Sequence, residues 1–118
     1  MQMPALALPS LDCPLCPRLA EFRHAARAKF PDWYNAPVLP FGPDDAGLLI
    51  VGLAPGLQGA NRTGRPFTGD YAGDLLYATL KEFGLARGTY DRRPDDGLTL
   101  VDCRISNAVK CVPPENKP

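Results

Sequence analysis

The chain carries no net charge, a single histidine and no apolar run longer than a strand, and each absence removes a class of function. Lys and Arg total 13 and Asp and Glu total 13, for a formal net charge of +0. Composition therefore shows no basic footprint of the kind that marks many nucleic-acid proteins, although binding depends on where charge sits. No stretch approaches the roughly 20 apolar residues of a membrane helix. Residues 1–10 hold Pro4 and Pro9 and lack a positive start, which argues against a signal peptide, so a cytoplasmic setting is expected. In that setting the four cysteines point to metal ligands or free thiols rather than a disulfide framework. The Asn61-Arg62-Thr63 sequon then has no meaning for glycosylation. The one histidine, His24, falls on a polar helix and reads as a solvated surface residue. Internal repeats and low-complexity segments are absent. So are the Gly-Lys-Ser/Thr ending of a P-loop and the glycine spacing of a dinucleotide fold, which sets aside a nucleotide-phosphate enzyme.

At 118 residues the chain is long enough for one small domain. Cys13-Pro-Leu-Cys16 opens the ordered part, after a segment 1–12 expected to be flexible, and Pro17 is placed to start a helix running to about Phe30. Leu19, Phe22, Ala26 and Phe30 recur on it at helical spacing, with Arg18, Glu21, Arg23, Arg27 and Lys29 largely on other faces. Residues 31–46 hold Pro31, Pro37, Pro40, Gly42 and Pro43 and read as a surface connection. The apolar run 47–53 reads as a strand, and it empties into a loop dense in glycine and proline, 52–70. Such a loop lies at the carboxyl edge of a sheet, where open α/β folds bind ligands. Leu75, Leu76, Leu80 and Phe83 mark a helix over about 71–83, with Asp70 a candidate N-cap and Gly84 a stop. Leu98–Val101 and Ala108–Val112 read as two further extended runs. The order predicts a parallel α/β sheet.

Two or three strands and two helices cannot cover both faces of such a sheet, so the segment reads as the N-terminal portion of a single larger domain. Within the loop, Arg62 and Arg65 beside Phe67, among small residues, suit a phosphate backbone and a stacked base. The cysteines leave two possibilities open: Cys13, Cys16, Cys103 and Cys111 could close a tetrahedral zinc site in a non-enzymatic nucleic-acid module, or some of them could hold iron and sulfur.

The run Gly52-Leu-Ala-Pro-x-x-x-Gly-x-Asn61-Arg-Thr-Gly-Arg-x-Phe67-Thr-Gly-Asp70, the opening Cys13-x-x-Cys16, and Ser106-Asn107-Ala-Val-Lys-Cys111-Val-Pro-Pro-Glu-Asn-Lys-Pro118 together resemble the iron–sulfur uracil-DNA glycosylases, and within them the type b, or family-five, branch. The motifs occur in family order and span nearly the whole chain. The resemblance implies a three-layer α/β/α fold around a short parallel sheet, hydrolysis of the N-glycosidic bond of uracil in DNA by base flipping, and a [4Fe–4S] cluster. A role for uracil-containing DNA as partner, and a monomer, are expected. In the family's pattern Phe67 would stack on the flipped base and Asn107 would hydrogen-bond its edge, a task for an amide that presents donor and acceptor together. Gly52, Ala54, Pro55 and Gly56 would line the pocket. Ala54 stands where better-known uracil glycosylases carry a water-orienting carboxylate, an absence that characterises the type b branch. Asp70 or Asn61 is then the candidate to position water or offset the oxocarbenium charge. Arg62 and Arg65 would meet DNA. The resemblance assigns Cys13, Cys16 and Cys111 to the cluster, with a fourth ligand and a histidine motif expected beyond residue 118, and leaves Cys103 as a buried small hydrophobe. The isolated 118-residue chain is expected to release no uracil.

Overall fold

The computed structural model of the chain describes residues 8–118. Its first helix, α1 (Pro17–Lys29), starts at the proline as the sequence predicts, because a first-turn proline gives up an N–H that has no partner there. The buried face differs from the expected one. Leu19, Ala20 and Ala26 turn inward together with Arg23, which is 1% exposed. Arg23 is tolerated there because Nη2 donates to the Cys13 carbonyl at 2.9 Å and Nη1 lies 3.3 Å from Cys111 Sγ. Arg27 reaches back to the Leu11 carbonyl at 2.7 Å and to the Asp12 carboxylate, so residues 11 and 12 are tied to α1. Residues 1–7 of the segment expected to be flexible lie outside the described residues.

Strand β1 (Leu48–Gly52) lies within the apolar run read as a strand. Its parallel partner is β4 (Cys103–Asn107), in register from Leu48 opposite Cys103 to Gly52 opposite Asn107. This corrects the extended run expected at 108–112, which forms no strand. Residues 103–106 alternate apolar and polar, and alternation fits a strand with one face buried: Cys103 and Ile105 are buried, with the polar Asn107 next on the same face, while Arg104 and Ser106 are half-buried. The Leu98–Val101 run is also placed differently. Its β3 (Thr99–Leu100) pairs antiparallel with β2 (Ala86–Arg87), outside the parallel sheet.

Helix α3 (Tyr71–Glu82) is capped by Asp70, whose Oδ1 accepts from the Gly73 N–H at 2.9 Å. Its inward stripe is Gly73, Tyr77 and Leu80, whereas Leu75 and Phe83 point outward at 63% and 74% exposure. Tyr77 replaces the expected leucine because its hydroxyl, otherwise costly to bury, donates to the Pro66 carbonyl. Tyr77 and Leu80 pack with Ala86, Leu98, Leu100, Cys103 and Ile105 into one core. The architecture is α/β around a short parallel sheet.

Candidate base-binding pocket

The parallel register ends with Gly52 beside Asn107, and the chain extends the ladder with Ala108 N–H to the Gly52 carbonyl at 2.8 Å and Val109 N–H to the Leu53 carbonyl at 3.0 Å. Past this edge, the 52–70 loop folds back as a single helical turn, α2 (Ala60–Thr63), closed by Gly64 at φ +88°. A cavity of about 280 Å³ opens between these pieces, lined by Leu53, Ala54, Gly56, Ala60, Phe67, Asp70, Ala72 and Asn107. Five of the expected pocket residues thus meet at one site. Leu53, Ala60 and Ala72 join them; as small or apolar residues beside the motif they carry no chemical signal of their own.

Gly52 lies directly behind the cavity. A Cβ on it would stand 2.5 Å from Asn107 Oδ1 and 2.6 Å from Phe67 Cζ, so only glycine lets the Phe67 ring and the Asn107 amide close over the strand end. Pro55 is fully buried and supports the turn from behind. Phe67 itself has φ +54°, a left-handed conformation that an aromatic residue adopts only under constraint. Asp70 serves two ends: Oδ1 caps α3, while Oδ2 faces Gly59, where a Cβ would come within 2.6 Å.

The structure separates the two candidates for water or charge. Asn61 is fully buried and does not line the cavity; its Nδ2 donates to Asn35 Oδ1 at 2.9 Å, joining α2 to the segment after α1. The two arginines also part. Arg62 is exposed, with Nε donating to the Gln58 carbonyl at 2.7 Å. Arg65, also expected at DNA, is 5% exposed and paired bidentately with Asp96 at 2.9 Å on both sides, so its guanidinium is engaged inside the protein.

Cys103 is fully buried in the core, where burial pushes its thiol pKa up and the nearby Asp102 adds to the rise. Cys13 and Cys111 are half-buried and Cys16 is exposed. For a [4Fe–4S] group they are suitable donors in kind, all sulfur, and Arg23 sets a cation against Cys111 Sγ with its Nε buried and unpaired. Among the described residues no three His, Cys, Asp or Glu side chains converge as a metal-holding group. His24 is exposed, 3.9 Å from Asp12. No described helix is long and apolar enough to cross a membrane.

The family model of the Uracil DNA glycosylase superfamily matches residues 39–118, which include the whole cavity lining. The chain is 46% identical over 113 residues to the type-5 uracil-DNA glycosylase of Thermus thermophilus, aligning over 90% of this chain and 50% of that protein. It is 39% identical over 112 residues to the type-5 uracil-DNA glycosylase of Pyrobaculum aerophilum, over 92% and 50% respectively. A type-4 uracil-DNA glycosylase of the same organism is 41% identical over 71 residues, 60% of this chain and 29% of that protein. The chain spans about half the length of the type-5 relatives it matches.

Proposed function

From the premise that the chain belongs to the uracil DNA glycosylase superfamily, we propose that it forms the base-binding half of a type-5 uracil-DNA glycosylase, acting as a monomer on uracil-containing DNA. The observation that carries this reading is the cavity in which an aromatic ring, a side-chain amide and a carboxylate meet at the carboxyl edge of a parallel pair. Flipping a base out of the duplex costs a few kcal/mol. Stacking on Phe67 would return about 1–3 kcal/mol of it. Asn107 would read the base edge with its donor and acceptor, and the small residues Ala54, Gly56, Ala60 and Ala72 leave room for the ring.

In the reaction the N1–C1′ bond breaks, its electron pair leaves with the base, water adds its oxygen to C1′ of an oxocarbenium-like sugar, and the proton that water gives up neutralises the departed base anion. Asp70 is the carboxylate at the cavity wall, and we assign it the role of positioning that water or offsetting the sugar's charge. Asn61 is assigned to holding α2 against Asn35 instead. Arg62 is the loop's exposed cation and the candidate phosphate contact.

Cys13, Cys16 and Cys111 would hold a [4Fe–4S] cluster, which when bound would supply a thiolate cross-link between the start of α1 and the segment after β4. Iron and sulfide analysis, with broad absorbance near about 400 nm as the spectral mark of thiolate-bound iron, checks this. A colourless protein with zinc would count against it.

The test of the activity is uracil release from a uracil-containing duplex by this chain joined to the second half of the Thermus thermophilus relative. Release that falls in Phe67→Ala and Asn107→Ala supports the reading. The 118-residue chain alone is predicted to release none.

A further inference from the structure

We propose that Arg65 and Asp96 form a buried clamp that holds Phe67 in its cavity-facing conformation, making both of them positioning residues of the base pocket; this inference rests on the pocket reading above. Phe67 is not a glycine, yet it has φ +54°, so something must hold it. Three consecutive residues are each tied down. The Pro66 carbonyl accepts from the Tyr77 hydroxyl. The Phe67 carbonyl accepts from the Tyr90 hydroxyl at 3.5 Å, and that same hydroxyl accepts from the Gly69 N–H at 3.4 Å. Thr68 Oγ1 accepts from Arg65 Nε at 2.8 Å.

Arg65 is common to all three ties. Besides holding Thr68, its guanidinium lies over the rings of Tyr77 and Tyr90 at 5.5 and 5.7 Å, packing the two phenols that fix residues 66 and 67. Asp96 in turn fixes Arg65 through both terminal nitrogens, and it accepts from the backbone N–H groups of Asp91 and Leu98 at 2.7 and 3.1 Å. The carboxylate therefore anchors the segment that carries Tyr90 as well as the arginine. A buried pair is weak ground for stability, since a well-packed apolar pair often does as well. What an apolar pair could not do is fix Thr68 and two loop segments together. The pair's geometry serves placement.

The experiment uses the 118-residue chain with labelled phenylalanine and two NMR readouts: the Overhauser contact between the Phe67 ring and the Asn107 side-chain amide, and the shift of that amide on titration with free uracil. Both groups lie within 2.6 Å of one point beside Gly52, so the contact is expected in the wild type. In Arg65→Lys and Asp96→Asn, contacts among Leu80, Leu98 and Ile105 should persist. The Phe67–Asn107 contact should be lost, and the uracil Kd should rise by about tenfold, the scale of one lost base–aromatic stack. A purely stabilising pair would lower Tm yet leave the contact and the Kd of the folded molecules unchanged, and that result overturns the proposal. Should either variant fail to fold, Tyr90→Phe removes only the hydroxyl between Phe67 and Gly69; retention of the wild-type contact there would likewise overturn it. If the wild type binds no uracil while the variants lose the contact, the clamp stands and the pocket's ligand assignment fails.

Discussion

Asp70 and Asn61 look alike in the sequence, two polar residues within one motif, and the fold gives them different work. Asp70 faces the cavity while its other oxygen caps α3, so Asp70→Asn, which keeps a capping oxygen, should cut the single-turnover rate of uracil release in a completed enzyme and change Tm little. Asn61→Ala should do the reverse. It leaves Asn35 Oδ1 without its buried donor, a loss of about 1–3 kcal/mol visible in urea unfolding, with the rate of the folded enzyme unchanged. Asp96 gives a pH dependence. Its burial alone would raise its pKa, but the Arg65 hydrogen bonds and two backbone N–H groups outweigh that and hold the carboxyl well below the usual range. A depressed folded pKa contributes stability that is complete above the unfolded value of about 4 and is lost as pH falls below it. Unfolding free energy should therefore drop more steeply between about pH 4 and 2, the range below the unfolded carboxyl's titration, in the wild type than in Asp96→Asn. At this scale Phe67, Asn107, Asp70 and Arg65 are legible as motif residues. The role of Arg65 is not: its partner lies 31 positions away, in a stretch that reads only as polar and turn-rich.

Among the elements, α3 shows how a helix can be shaped by the loop it supports. Alanine at position 73 would favour an isolated helix by about 1 kcal/mol. Here a Cβ would fall 1.6 Å from the Phe67 carbonyl, so Gly73→Ala should instead destabilise by about 3 kcal/mol through overpacking, as Tm would show, and displace Phe67. The β1–β4 pair exposes its other face. Leu49 and Val51 are 58% and 59% exposed beside Arg104 and Ser106 along a groove. Leu49→Lys with Val51→Lys should change the urea-unfolding free energy by less than about 0.5 kcal/mol per site, because little is buried there to lose. Helices α1 and α3 and strand β1 are legible from periodicity and breakers, whereas α2 lies inside the run that reads as a loop. Strand β4 is hidden although Cys103-Arg-Ile-Ser106 alternates, because the more apolar Leu98–Val101 competes for the same reading. Helix periodicity also favoured Leu75 and Phe83 over Tyr77, whose burial depends on a carbonyl eleven residues earlier. Only tertiary placement makes that partner available.

For the whole molecule, the three motifs that resemble the glycosylases are distant in sequence and meet in two places. The 52–70 loop and Asn107 share the cavity, and Arg23 brings Cys111 to the Cys13 segment. The first meeting follows from a parallel register that sets Gly52 beside Asn107; the second follows from a buried arginine on a helix whose pattern assigns it to the outer face. The central claim is that this cavity receives a flipped uracil. Its most direct test is the single-turnover rate of uracil release by the chain joined to the second half of its Thermus thermophilus relative, with Phe67→Ala and Asn107→Ala in parallel. The prediction is release by the joined wild type and a fall of about tenfold or more in each variant, the equivalent of roughly 1.4 kcal/mol of lost transition-state stabilisation. Release at an equal rate in all three proteins would contradict it.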